Sequence, residues 1–198
     1  SSAYYGNTTW RLNNTGLYQP GNALLAMEVM RYLFGESGHP ERWRRALADL
    51  KWPGRMEEVL PDVYIDGAHN ISAVEAFVQS IPGDGAGNII LFSAVGDKDH
   101  EKMAELLCRG RTAELYVVTH IDDRRGADAE KLADIFRKYT ERPVAVRESV
   151  KEAVEYALSV QNGRRIYCLG SLYLTGMIKG LIQEEDIDAG LRRRTEKI

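Results

Sequence analysis

Four short stretches of the sequence gather acids, imidazoles, hydroxyls and cations within a few residues: Asp66-Gly67-Ala68-His69-Asn70, Gly96-Asp97-Lys98-Asp99-His100, Thr119-His120 with Arg124 and Arg125 close behind, and Gly170-Ser171. Brought to one place, these types suit a nucleotide. A carboxylate such as Asp66 can accept hydrogen bonds from the two hydroxyls of a ribose. Gly67 lets the main chain come close to a ligand. Free amides at the start of a following helix suit an anion. Each residue also has a plainer reading: Asp66 as a helix cap or turn residue, His69 as a satisfied loop histidine, Lys98 as a solvated lysine, Ser171 as an N-cap. The four histidines and two cysteines show no zinc spacing, and no metal ligands are expected in this chain. Cys108 and Cys168 fall in apolar patterns and read as small core residues.

The pattern between these stretches explains how they could converge. Val63–Ile65, 88–94, Leu115–Thr119, 143–146 and Arg165–Leu169 are short apolar runs, as expected for strands buried on both faces. A helical pattern follows each one. The first carries Ile71, Val74, Val78 and Ile81, the second Met103, Leu106 and Leu107, the third Leu132, Ile135 and Phe136, and the last Met177, Ile178, Leu181 and Ile182. The fourth opens on Ser149-Val150-Lys151-Glu152, a capping box. Strand–helix alternation predicts an α/β fold: a Rossmann-like, doubly wound, mostly parallel sheet with helices on both faces. Ligands of such a sheet bind beyond the carboxyl ends of its strands, where the four stretches lie. Ahead of this region the pattern differs. A strand or two is expected around Thr8, Trp10 and Leu12, then a helix from Asn22 to Gly35 with Ala23, Met27, Met30 and Phe34 on one face, then a second helix from 40 to 50. Trp52-Pro53-Gly54 breaks the chain, which places the boundary between 1–51 and 52–198.

Composition narrows the classes. At 198 residues, 44% hydrophobic, 28% charged and a net charge of −3, the chain reads as a soluble globular protein without an electrostatic case for nucleic acid or an anionic membrane. Arg192, Arg193 and Arg194 have Glu184, Glu185, Asp186 and Asp188 nearby and read as a solvated tail. No apolar run reaches membrane-spanning length, no signal-peptide layout opens the chain, and a reducing cytoplasm is the expected setting. An opening at Ser1 without Met suggests a piece of a longer protein.

Six elements, in order, resemble those of folylpolyglutamate and dihydrofolate synthases: Tyr18-Gln19 with Asn22-Ala23, Trp52-Pro53-Gly54-Arg55, Asp66-Gly67-Ala68-His69-Asn70, Ser93-Ala94-Val95-Gly96-Asp97-Lys98-Asp99, Arg125-Gly126-Ala127, and Gly170-Ser171-Leu172-Tyr173-Leu174. The related Mur ligases share the fold with a different sequence at the aspartate strand. The resemblance implies the C-terminal domain of an ATP-dependent ligase, preceded over 1–51 by a remnant of its central ATPase domain. Such a ligase activates a folate carboxylate as an acyl phosphate, which the amine of L-glutamate then attacks. It implies ATP with Mg2+, the magnesium ligands lying in the missing central domain. Carried over residue by residue, Asn22, Arg55 and Asp66 would bind ATP, with Arg55 steadying the transferring phosphoryl group. His69 would act at the junction of phosphate and glutamate. His69, Lys98 and Ser171 would bind glutamate.

The sequence departs from the family at several points. No Gly-x-x-Gly-Lys phosphate loop occurs, Ile71 stands where proline usually follows the asparagine, and Tyr18 replaces a histidine. Residues 1–50, separated from the rest of a central domain, are expected to expose apolar surface and favour dimerisation. The alternative reading is a stand-alone nucleotide- or amino-acid-binding module without catalysis. A dinucleotide-binding oxidoreductase is disfavoured, since no Gly-x-Gly-x-x-Gly follows the first strand.

Overall fold

The computed structural model describes residues 10–13, 16–81, 87–96, 99–110 and 113–184. The chain divides into two compact units, Ser1–Pro53 and Gly54–Ile198.

In the first unit, helix α1 (Gln19–Phe34) and helix α2 (Pro40–Asp49) are joined by a 3₁₀ turn, Gly35–Ser37. Each helix carries a proline in its first turn, where a missing N–H costs no helical bond. Pro20 thus fits the first turn of α1, which begins at Gln19 rather than Asn22. Gly35, at φ +52°, ends it and returns its N–H to the Arg31 carbonyl. Ala23 and Met27 are buried, while Leu24, Leu25, Val29, Tyr32, Leu33 and Phe34 are exposed. The anticipated strand is not seen at Trp10 or Leu12, since residues 10–13 are irregular, and Thr8 lies outside the described residues.

The second unit opens with an antiparallel hairpin, β1 (Glu57–Leu60) and β2 (Val63–Ile65), turning at Asp62 with φ +58°. There follow α3 (Ile71–Ser80), β3 (Asn88–Phe92), α4 (His100–Arg109), β4 (Leu115–Thr119), α5 (Ala129–Arg137), β5 (Val144–Arg147), α6 (Val150–Ser159), β6 (Arg165–Leu169) and α7 (Leu172–Gln183). The sheet order is β1-β2-β6-β3-β4-β5, parallel apart from β1. Every residue of β3 and β4 is buried, which is why those segments read as unbroken apolar runs. One face packs Val74 and Phe77 of α3, Met103 and Leu107 of α4, and Leu132 and Phe136 of α5. The other packs Val150 and Val154 of α6 with Leu174 and Ile178 of α7. The fold is therefore α/β, Rossmann-like and doubly wound.

Helix entry is fixed by chemistry at each strand end. Asn70, Asp99, Asp128, Ser149 and Ser171 each accept a hydrogen bond from a first-turn amide of the helix they precede. Ile71 opens α3 behind Asn70, so the helix starts without a proline. β1 was not anticipated: Glu57 and Glu58 are poor strand formers, and only pairing with β2 at the sheet edge makes them one. Although last in sequence, β6 lies between β2 and β3, so the carboxyl ends of β2, β6, β3 and β4 stand in a row.

Candidate functional site

At the head of this row, Asp66 follows β2 and is buried. Its Oδ1 accepts from the Ala68 N–H at 2.8 Å and its Oδ2 from the Met56 N–H at 2.9 Å. Its own N–H donates to the Cys168 carbonyl of β6 at 2.9 Å. The carboxylate thus clamps the turn that carries Arg55 onto the strand end.

That turn is unusual in its backbone. Gly54 and Met56 both hold left-handed φ values, +67° and +45°. The Gly54 N–H donates to Glu57 Oε2 at 2.7 Å, and the Gly54 carbonyl accepts from Gly67 N–H at 2.7 Å. Half-buried Arg55, whose Nη1 lies 3.3 Å from the Gly54 carbonyl, reaches over Gly67. A Cβ built on Gly67 would stand 2.5 Å from Arg55 Nη1 and nearer still to Leu172 of α7. The absent side chain at Gly67 therefore makes room for Arg55.

His69 donates from Nδ1 to the Gly67 carbonyl at 2.7 Å. A carbonyl only accepts, so this bond assigns the proton of the neutral ring to Nδ1 and leaves Nε2 with its lone pair. Asn70 uses its side chain to accept from Ala73 N–H at 2.9 Å, so one of the amides offered by α3 is already taken.

Beyond β6, Gly170 holds φ +110° and its N–H donates to the Ala68 carbonyl at 2.8 Å. A Cβ there would collide with the Ser93 carbonyl beyond β3, so Gly170 permits the tight approach of β6 and β3 ends. Ser171 is buried, and its hydroxyl accepts from the Tyr173 N–H at 3.1 Å, the capping role considered for it. Its hydroxyl proton can still be donated. The loops after β3 and β4 are stitched together by a Val95–Gly126 bridge, by Gly96 N–H to the Arg125 carbonyl (2.6 Å) and by Ala127 N–H to the Ala94 carbonyl (2.9 Å). Arg125 Nη2 donates to the Tyr173 hydroxyl at 2.7 Å, linking that loop to α7. Asp123 anchors the Arg125 backbone, whose N–H, helped by the nearby guanidinium charges, holds the Asp123 carboxyl below its ordinary value.

The structure therefore brings Arg55, Asp66, His69 and Ser171 to one sheet edge. Lys98 lies outside the described residues. Asn22 sits exposed in the first turns of α1, its amide Nδ2 donating to Gln19 Oε1 at 3.1 Å. Among the described residues, no group of three or more His, Cys, Asp or Glu is arranged to hold a metal ion, and no helix is long and apolar enough to cross a membrane. Ser93, noted in the sequence only as part of a resembling element, has a buried hydroxyl with no partner among the described residues, and sequence reasoning missed Glu57, which holds the arginine turn. The only signal for Glu57 was an acid two residues beyond the Gly-Arg pair.

Comparison with known proteins places these features in a family. The family model described as Mur ligase, glutamate ligase domain matches residues 54–172, more than half of the chain. A UDP-N-acetylmuramoyl-L-alanyl-D-glutamate–2,6-diaminopimelate ligase of Caldanaerobacter subterraneus subsp. tengcongensis is 34% identical over 155 residues, covering 73% of this chain and 31% of that protein. The dihydrofolate synthase/folylpolyglutamate synthase of Bacillus subtilis is 36% identical over 104 residues, covering 49% of this chain and 24% of that protein. Among solved structures, Mycobacterium tuberculosis folylpolyglutamate synthase, complexed with ADP and AMPPCP, superposes with a TM-score of 0.79 at 28% identity, covering 86% of this chain and 41% of that one. The chain thus spans about a third or less of the length of these curated relatives. With relatives among both folylpolyglutamate synthases and Mur ligases, and with the family model matched across the region that carries Arg55, Asp66, His69 and Ser171, the chain belongs to the Mur ligase, glutamate ligase domain family.

Proposed function

We propose that this chain is the C-terminal part of an ATP-dependent ligase that adds L-glutamate to a folate through an acyl phosphate, and that it is inactive without its central ATP-binding domain, of which residues 1–51 are the last portion. The observation that carries the reading is the seating of the Arg55 guanidinium over Gly67, beside the clamped carboxylate of Asp66. Similarity to an enzyme solved with ADP and AMPPCP supports nucleotide binding at this edge.

In this reading Asp66 accepts from the ribose hydroxyls, and Asn22 meets the nucleotide from the central-domain side. Arg55, a permanently charged fork, steadies the phosphoryl group as it moves from ATP to the folate carboxylate. Lys98 and the Ser171 hydroxyl bind the glutamate carboxylates. The glutamate amine then forms the C–N bond as the C–O bond to phosphate breaks, and the ammonium proton must leave. His69, with Nε2 as its free acceptor, is placed to take that proton; as imidazolium it would instead bind the phosphoryl group. Mg2+, held in this reading by ligands in the central domain, would neutralise phosphate charge.

Arg55→Ala in the complete ligase is expected to lower turnover by about 100-fold or more with the fold intact; turnover equal to the parent's, measured by ADP release, rules out its assigned role. An intact mass of the native protein well above 22.3 kDa supports a longer ligase, whereas a mass near 22.3 kDa favours the stand-alone binding module. A second reading keeps the nucleotide chemistry but joins another amino acid to another carboxylate acceptor. Similarity to the diaminopimelate ligase over most of the chain favours it, and competition between glutamate and diaminopimelate in the same assay separates the two.

A further inference from the structure

We infer that Glu57 is a positioning residue for Arg55, and that Lys179 of α7 acts through it. The inference rests on the proposed work of Arg55 at the nucleotide phosphates.

Three of the main-chain groups flanking Arg55 are tied. Gly54 carbonyl and Met56 N–H are held by Gly67 and Asp66, which belong to the strand-end row itself. The remaining tie, Gly54 N–H, goes to Glu57 on β1 at 2.7 Å. The other oxygen of Glu57 accepts from Lys179 Nζ, also at 2.7 Å. Both oxygens are thus engaged inside the protein, and this carboxylate holds the turn rather than a ligand. The side chains are only 29% and 31% exposed, so the pair is screened less than a surface pair. Burial alone would raise the Glu57 pKa, but the hydrogen bonds from Lys179 and Gly54 and the Lys179 charge outweigh it and hold the carboxyl below its ordinary value.

A fixed turn matters because Arg55 sits between two left-handed residues. Met56 is not glycine, and a side-chain-bearing residue stays at φ +45° only when its surroundings hold it there. Released from Glu57, the Gly54–Met56 segment can relax toward ordinary φ values, and the guanidinium then leaves its seat over Gly67. The link runs further, because Lys179 lies on α7, the helix that Ser171 caps and whose Leu172 flanks the same seat. The arginine turn and the serine end of the site are therefore braced against one helix.

The test is steady-state kinetics of glutamate ligation by the complete ligase, as a double-substitution cycle with Arg55. Glu57→Ala is expected to lower kcat by about 10- to 100-fold, with KM for glutamate changed less than about twofold. Glu57→Gln, whose amide oxygen can still accept from Gly54, is expected to recover most of that loss. Arg55→Ala combined with Glu57→Ala is expected to be no slower than Arg55→Ala alone, because a residue acting through Arg55 has nothing left to position. If Arg55→Ala retains parental turnover, the reading of Arg55 itself falls, and this inference with it. If Arg55→Ala is slow but Glu57→Ala is parental, or if the double variant falls by the product of the single losses, only the positioning role is overturned. Should Glu57→Ala fail to fold, Lys179→Met tests the same link: a several-fold loss of kcat that vanishes in the Arg55→Ala background supports it, and parental turnover overturns it.

Discussion

Asp66 holds a turn with its carboxylate, and in the proposed reading the same group also meets the ribose. The sequence offered a ribose ligand or a turn residue as alternatives. The geometry makes the second true: the amides of Met56 and Ala68 both donate to this carboxylate. Removing the carboxylate leaves two buried donors without that acceptor, at about 1–3 kcal/mol for each group left unsatisfied. Asp66→Ala is therefore expected to lower the urea midpoint clearly and also to weaken ATP more than glutamate in binding titrations. An unchanged midpoint would refute the clamp, while weakening of glutamate alone would refute the ribose assignment. Ser171 illustrates the same economy: its oxygen caps α7 while its proton remains available.

At the scale of elements, legibility followed burial. β2, β4 and β6 were readable to the residue because strands covered on both faces consist of little but apolar side chains. The helix starts at Ser149 and Ser171 were readable from their capping side chains, whereas those at Asp99 and Asp128 were not anticipated. β1 was not legible, since its strand character comes from a neighbour rather than from its own residues. Asp66 and His69 were legible as polar residues closing a buried strand, but the role of Glu57 was not, because it depends on Lys179, far along the chain. The core beneath the site makes its own prediction. Phe136 of α5 is fully buried, its ring 5.3 Å from that of Phe92 and 5.1 Å from that of Tyr116. Phe136→Ala is expected to cost about 3–5 kcal/mol in chemical denaturation. A loss below about 1 kcal/mol would mean that α5 does not depend on this contact.

For the molecule as a whole, the exposed apolar residues of α1 are expected to govern solution behaviour. Leu25, Leu33 and Tyr32 are 66%, 64% and 87% exposed, a concentration that a separate soluble protein seldom shows to water. The isolated chain is expected to self-associate in sedimentation velocity at tens of micromolar, and Leu25→Glu with Leu33→Glu is expected to restore a monomer. A monomeric parent at that concentration would remove α1 as a contact surface. In the proposed ligase the same face would be covered by the rest of the central domain.

The place of β6 in the sheet carries a consequence for biogenesis. On the ribosome, β1-β2 and β3-β4-β5 emerge as two separate ribbons, each with an open edge where β6 belongs. Neither can close until Leu169 has cleared the exit tunnel, so the domain cannot be assembled stepwise as it is synthesised, and the long sequence separation between β2 and β6 slows the final closure. During that interval the bare edges of β2 and β3 are templates for wrong pairing and natural clients for a chaperone. A premature stop or a proteolytic cut before Arg165 would thus remove the keystone of the sheet rather than its margin, and a shortened product would be cleared as unfolded chain rather than persist as a partial domain.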